Sequence, residues 1–491
     1  MPLEGAEALR TTLQPHQQRV GDRLSADDQP GLVAIHGLGS GKTLTSIGAA
    51  QALGLPAHAV VPASLQGNYE KELDKHLTTG AARPEVHSLQ RTTMRPESVD
   101  PAGGFLIMDE AHRVRDPSTK SYSAAKQLGQ QAAKRLYMTA SPTYNHPVDL
   151  APLVNLAAGE KVLPANKQEF EDRYVRTRRI DPGFFARTFR GIKPGEVQEL
   201  TRQQELEDVA KKWVDYHEGG GGDFPDRIDE TISVPMSSEQ RDVYDTVLGK
   251  APAWMQYKVR HGLPPSKAEA ADLNAFMTGA RQAQLSPHVF QQGMDPLLGA
   301  TKQHAAFERL QKAIAENPEH RAVVYSNYLQ AGLGPYQALL DKHQIPYASF
   351  TGEMGRGERE QAVRDYNRGK LRALLVSSAG GEGLDLKGTR QLQLLEPAWN
   401  AERLNQVIGR GIRYKSHAHL PEDQRNVRVE QYLSSIPQGH LGKFFGVQPE
   451  MTADAYLTQV SADKERLNQQ LRRILERAQA HATPPLAHEK T

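Results

Sequence analysis

Short apolar runs recur along the chain in two series, separated by a stretch of different texture. LVAIH (32–36), HAVVP (58–62), FLIMDE (105–110) and RLYMTA (135–140) read as buried parallel strands with helical spacing between them, as in a layered βαβ fold. RAVVYS (321–326), YASF (347–350), ALLVSS (373–378), QLQLLE (391–396) and VRVEQYL (427–433) repeat the pattern. Residues 151–300 lie between the series and are rich in Gln, Arg, Lys and Ala at helical spacing. They are broken by EGGGGDFP (218–225), which reads as a linker or exposed loop. One further strand, RIDETISVP (227–235), is expected to return to the first sheet, and Thr452 to Ala480 has long helical spacing.

Composition narrows the class without naming it. A chain of 491 residues has room for roughly two to four domains. With 38% hydrophobic and 24% charged residues, and no apolar run near the ~20 residues of a membrane span, a soluble protein without a membrane partner is expected. MPLEGAEALR lacks the profile of a secretory signal, so a cytoplasmic, nucleoid or viral setting is expected. The absence of cysteine excludes disulfides, thiolate catalysis and cysteine-ligated metals. A net charge of +2 means that any nucleic-acid binding must come from local patches.

The first candidate chemistry lies in LVAIHGLGSGKTLTS (32–46), where a strand breaks into glycines before a helix. Backbone N–H groups of Gly39, Ser40 and Gly41 can converge on phosphate oxygens, Lys42 can bridge the β- and γ-phosphates, and Thr43 can ligate Mg2+. The usual pattern asks for glycine at position 36, where this chain has His36. In FLIMDEAH, Asp109 would hold the magnesium through water, and Glu110 would orient and deprotonate the attacking water. In TTLQPHQQR, Gln17 offers an amide that both donates and accepts, as the adenine edge requires.

LQPHQ, GLGSGKT, VVPASLQGNYEKEL, DEAH and MTASPTYN, in this order, resemble motifs Q, I, Ia, II and III of superfamily-two helicases of the Swi/Snf-like branch. VVYSN (323–327), TGEMGRGEREQAVRDYN (351–367), SSAGGEGLDL (377–386), EPAWN (396–400) and QVIGRGIR (406–413) are similar to motifs IV through VI. The stretch from 409 to 433 is similar to poxvirus-type DNA-dependent nucleoside triphosphatases. The resemblance implies an α/β fold of two RecA-like parallel-sheet lobes with an inserted helical subdomain and a C-terminal brace helix. Lobe 1 would span 1–150, the insert 151–300, lobe 2 301–450, and the final helix and tail 451–491.

The same resemblance implies an ATP- and Mg2+-dependent motor. Arg413 would act as arginine finger and Arg410 would pair with phosphate or an acidic neighbour. Gly383, within Gly381–Gly383, would complete the nucleotide site and couple it to the track. His112, Thr139, Ser141 and Gln406 would couple ATP state to movement, and Ser64, Thr351, Gly352 and Ser378 would touch nucleic acid. The expected track is double-stranded DNA, and a place for the chain within a larger complex or polyprotein is compatible with it. Two alternatives stand beside it: an RNA-directed ATPase or unwinding helicase, and a nucleotide-gated clamp with slow turnover. The basic cluster RYVRTRRIDPGFFARTFRGIK (173–193) reads either as a grip on duplex backbone or as a solvated helical face with core phenylalanines. His417 and His419 read as loop polar groups.

Overall fold

The computed structural model describes residues 8–37, 39–140, 146–219, 225–351, 354–377, 386–397, 416–417, 420–437 and 450–482. The chain divides into two compact units. One comprises residues 1–176, 198–220 and 466–491, and the other 177–197 and 221–465. The region 151–300 is therefore shared between them.

The strands in chain order are β1 (Gly31–His36), β2 (Ala57–Val61), β3 (Glu85–Ser88), β4 (Phe105–Met108), β5 (Lys134–Thr139), β6 (Val175–Ile180), β7 (Gly195–Leu200), β8 (Val214–His217), β9 (Asp226–Pro235), β10 (Ala322–Tyr325), β11 (Tyr347–Phe350), β12 (Ala373–Val376), β13 (Gln391–Leu394) and β14 (Asn426–Ser435). The first unit holds a six-stranded sheet in the order β3-β2-β4-β5-β1-β8, and the second a six-stranded sheet in the order β11-β12-β10-β13-β14-β9. Every pairing in both is parallel. β6 and β7 pair separately.

The continuous apolar runs follow from burial on both faces. Val33, Ile35, Val60, Leu106, Met108 and Tyr137 pack on one side of the first sheet. Their sequence neighbours Leu32, Ala34, Val61, Phe105, Ile107 and Met138 pack on the other. Because side chains alternate across a strand, two covered faces demand an unbroken apolar string. The second sheet repeats the arrangement, with Val324 and Leu375 on one face and Val323, Leu374 and Val376 on the other.

One expectation is corrected. The strand RIDETISVP does not return to the first sheet; β9 pairs with β14 over ten residues, from Asn426↔Asp226 to Ser435↔Pro235. Its first six residues are exposed and, Ile228 apart, polar, so its own pattern carries no preference for either sheet, and the partner of matching length decides. The edge of the first sheet is filled by β8, which pairs with β1.

In the second unit, helices Ser238–Gly249, Ala253–His261 and Lys267–Leu285 share a core of Tyr244, Met255, Leu273 and Met277 with Ala453, Tyr456 and Leu457. Buried ion pairs join Lys258 to Glu269 and Lys302 to Asp454, each at 2.7 Å. Ala453–Ala482 is one helix of 30 residues. Among the described residues, no helix is long and apolar enough to cross a membrane.

Candidate nucleotide site

β1 runs fully buried into the glycine loop, and helix α1 (Pro15–Ser25) supplies the loop's inner wall. Helix α2 (Lys42–Leu53) starts directly at the loop's end, so its unpaired N–H groups and positive dipole end face the same space. Gly39 and Gly41 both take φ of 75°. At Gly41 a Cβ would also lie 2.5 Å from Gln17 Nε2, so glycine is required on two counts.

Gln17 is buried and fastened at both ends of its amide. Its Oε1 accepts from the Gln14 N–H at 2.9 Å, and its Nε2 donates to the Ser40 carbonyl oxygen at 3.0 Å. His16 Nε2 lies 2.9 Å from the same oxygen, which can only accept, so that nitrogen carries the proton. Ser40 Oγ donates to the Gly37 carbonyl oxygen at 2.8 Å.

The departure at position 36 has a structural reason. His36 is fully buried, and its Nε2 meets Asp215 Oδ1 of β8 at 2.8 Å. Asp215 also accepts from Arg19 Nε at 2.7 Å and Arg19 Nη2 at 2.9 Å, with Arg23 at 3.4 Å. Burial alone would raise the Asp215 carboxyl; His36 and Arg19 overcome it and hold the group well below the usual carboxylate range. His217 stacks on His16 at 3.8 Å between ring centroids, and burial pushes it down to about 4. The network ties α1, β1 and β8 together behind the loop. Of LQPHQ only Gln17 was read as functional, not His16, and Asp215 and His217 were not singled out because WVDYH carries no motif of its own.

Lys42 Nζ donates to the carbonyl oxygens of His36 and Gly37 at 3.2 and 3.5 Å. Burial lowers its pKa, and the charges of Glu110 and Asp109 oppose that shift. A phosphate oxygen in the cradle would be a charged acceptor in place of these neutral ones, and a stronger partner.

Asp109 follows β4 and is buried. Burial, then the neighbouring Glu110 charge, pushes its carboxyl up to about 6. Its Oδ1 accepts from the Glu110 N–H at 2.9 Å. Glu110 stands at φ 50°, ψ 45°, a left-handed backbone held by a residue with a Cβ, which is the kind of strain that clusters at functional sites. Burial would raise its carboxyl, but His112, Lys42 and Arg113 together hold it below its ordinary value, so it is ionised. His112 Nδ1 lies 3.2 Å from Glu110 Oε2.

Lys42, Asp109 and Glu110 thus form one electrostatic group in the first unit. Thr43 stands in the first turn of α2, half-buried, and Thr139 ends β5 fully buried. Ser64 is exposed in the short turn Ala63–Leu65 after β2. Thr351 follows β11 in the second unit, its carbonyl oxygen accepting from Arg359 at 3.1 Å. Ser141, Gly352, Ser378, Gly381, Glu382, Gly383, Gln406, Arg410, Arg413 and His419 lie outside the described residues. His417 is buried, its Nε2 2.6 Å from the Thr389 carbonyl oxygen, as a structural polar group.

The basic cluster resolves into β6 and helix Phe184–Arg190 rather than one helical face. Its phenylalanines are not core. Phe184, Phe185 and Phe189 are 62%, 76% and 73% exposed and touch one another, with ring centroids 5.8 Å apart along the series.

Two stretches of the chain match family models. An SNF2-related domain matches residues 85–289, and a helicase conserved C-terminal domain matches residues 305–415. The chain thus carries, in order, the two domains found in Swi/Snf-like superfamily-two helicases. These matches support a nucleic-acid-dependent ATPase, an ATP-driven motor whose two units each hold a six-stranded parallel sheet. A putative ATP-dependent RNA helicase of Acanthamoeba polyphaga mimivirus is 29% identical, over 89% of this chain and 91% of that protein. A termination factor NPH-I homolog of African swine fever virus is 25% identical, over 91% of this chain and 76% of that protein. A RAD54-like DNA repair and recombination protein of Drosophila mojavensis is 23% identical, over 62% of this chain and 41% of that protein. A Sulfolobus solfataricus SWI2/SNF2 ATPase core solved with dsDNA is 16% identical, covering 97% of this chain and 99% of that one, at a TM-score of 0.36. That score is too low to carry an argument.

The residues fit the cation that this family's ATP chemistry uses. Asp109 is a buried carboxyl whose pKa is pushed up to about 6, and among the described residues only its Oδ1 is engaged. A divalent ion would relieve that destabilised charge.

Proposed function

We propose that this motor hydrolyses ATP at the carboxyl edge of the first sheet and travels along duplex DNA. The observation that carries the hydrolytic half is the Lys42, Asp109 and Glu110 group, in which one carboxyl is raised and its neighbour lowered. Asp109, the carboxyl that burial destabilises, gains most from a cation, and Glu110, held ionised, is in the form that accepts a proton. Lys42 and the amides of Gly39, Ser40 and Gly41 bind the phosphates, and Gln17, its amide engaged by Gln14 and Ser40, braces the loop rather than presenting that edge to the base. Thr43 and Asp109 would hold Mg2+, which when bound neutralises charge on the β- and γ-phosphates.

Glu110 takes a proton from water as the oxygen attacks the γ-phosphorus. The bond to the bridging oxygen breaks, and ADP leaves. His112 keeps Glu110 oriented. From the family resemblance, Arg413 supplies the transition-state charge, Arg410 pairs beside it, and Gly383 completes the site. Thr139, Ser141 and Gln406 pass the nucleotide state onward.

On the track, Ser64, Thr351, Gly352 and Ser378 contact phosphates, and Arg178, Arg179 and Arg190 grip the duplex backbone beside the exposed Phe184, Phe185 and Phe189. Duplex DNA is favoured by the SNF2-related match and by the DNA-repair and NPH-I relatives. An RNA track is the second reading, favoured by the mimivirus relatives named as RNA helicases, at 29% and 24% identity.

ATP hydrolysis measured with duplex DNA, single-stranded DNA and RNA separates the readings. Duplex DNA is expected to stimulate most, and displacement of a third strand from a triplex should accompany it. Stimulation by RNA alone overturns the duplex reading. Tight binding without stimulated turnover would leave a clamp rather than a motor. Normal hydrolysis by Arg413→Ala would remove the arginine finger.

A further inference from the structure

At the opposite edge of the first sheet from β8, β3 carries two groups that meet a third from β2. The parallel register sets His58 against Glu85 and Val60 against His87. Glu85 and His87 are two residues apart, so they project from the same face, and His58 joins them there.

Three ligand-type atoms converge. His58 Nδ1 and His87 Nε2 are 3.2 Å apart, and Glu85 Oε2 lies 3.6 Å from each. A hydrogen bond between the two imidazoles explains the first distance alone. It does not explain a carboxylate oxygen equidistant from both rings and beyond hydrogen-bond reach of either.

A cation explains all three distances. A triangle with sides of 3.2, 3.6 and 3.6 Å has a circumscribed circle of radius about 2.0 Å, so an ion raised from its plane by about 0.7 Å, as tetrahedral coordination requires, lies about 2.1 Å from all three atoms, the bond length of Zn2+ to imidazole nitrogen or carboxylate oxygen. We propose that His58, Glu85 and His87 form a Zn2+ site, with two imidazoles and one carboxylate as ligands and water in the fourth position. The side chains of His58 and His87 are mostly covered and that of Glu85 is 70% exposed, which opens the fourth position to solvent.

The site is distinct from the nucleotide site. His58 pairs in register with Leu106, three residues before Asp109, about 10 Å back along the strands. β3 is a four-residue edge strand held by β2 alone. A cation shared between the two strands would fasten that edge, the task disulfides cannot perform in a chain without cysteine.

Zinc content of the untagged full chain, measured by mass spectrometry after dialysis against micromolar Zn2+, tests the proposal without reference to activity. One ion per chain is expected, with Co2+ in its place giving the intense visible absorption of tetrahedral coordination. Glu85→Gln, at an exposed position that folding does not depend on, should weaken zinc binding about tenfold or more. His87→Ala should abolish it, and zinc should raise the melting temperature of the unmodified chain but of neither variant. Zinc uptake that is absent in the unmodified chain, or equal in all three proteins, overturns the site.

Discussion

Asp109, the residue after β4 in the first sheet, and Glu396, two residues after β13 in the second, are both buried carboxyls at the carboxyl end of a parallel strand. Burial is the leading cause that raises each of them. Their surroundings differ. Glu396 accepts from Ser326 Oγ at 2.7 Å through Oε2, and from the Asn327 N–H at 2.6 Å and Nδ2 at 3.0 Å through Oε1. Asp109 has one oxygen engaged, at 2.9 Å from the Glu110 N–H. Position and burial alone therefore do not make a cation site. Spare acceptor capacity does, and Glu396 has spent its capacity on the turn after β10.

The largest expected effect lies on the first sheet's side of that contrast. Glu110→Gln should retain ATP binding and lose hydrolysis by about 10²–10⁴-fold, measured by nucleotide titration alongside turnover. Undiminished turnover would remove Glu110 from its role.

Next in size is the anchor behind the loop. Asp215→Asn leaves Arg19, Arg23 and His36 facing a neutral amide and should cost about 3–5 kcal/mol of stability in urea unfolding. The Asp215 carboxyl is held low, so its contribution is present above the ordinary aspartate pKa and is lost only as pH falls through the lower folded value. Near neutral pH the destabilisation should be independent of pH.

Asp109 gives the opposite signature. Its carboxyl titrates at about 6, so below that pH a cation must displace a proton. Apparent Mg2+ affinity, read from ATP hydrolysis against Mg2+ concentration, should fall by up to about tenfold per pH unit below 6. A flat affinity between pH 5 and 7 would contradict the assignment.

The smallest expected effect is at the exposed aromatic cluster. At its basic flank, Arg179→Ala should weaken duplex binding about equally for all sequences and lower the salt slope by about 1, measured by fluorescence anisotropy across a salt series. Unchanged affinity would make the cluster a surface for something else.

The sequence showed the buried strands and the phosphate-loop group because their signals are local. LVAIH and FLIMD must be continuous to cover two faces, and GSGKT must be contiguous to close a loop. β3 and β8 were missed because EVHS and VDYH are four-residue, polar strands whose burial comes from their neighbours. β9 was assigned to the wrong sheet because its exposed alternation names no partner. Asp215 was invisible for a related reason: its partners Arg19 and His36 lie 196 and 179 residues away. For Phe184, Phe185 and Phe189 the sequence left open whether they are core or part of a grip on nucleic acid, and the fold shows them facing solvent.

The central claim is that the first sheet's carboxyl edge is built to take a ligand and the second sheet's corresponding carboxyl is built to hold a turn. Calorimetric titration of Mg2+ and ATP onto Asp109→Asn and Glu396→Gln, with the melting temperature of each, tests it most directly. Asp109→Asn should lose Mg2+-dependent ATP affinity at equal or higher melting temperature, because a destabilised charge is removed. Glu396→Gln should melt earlier, by about 1–3 kcal/mol of stability, with ATP affinity intact. The reverse pairing, ATP affinity lost with Glu396 and kept without the Asp109 carboxylate, would contradict the account.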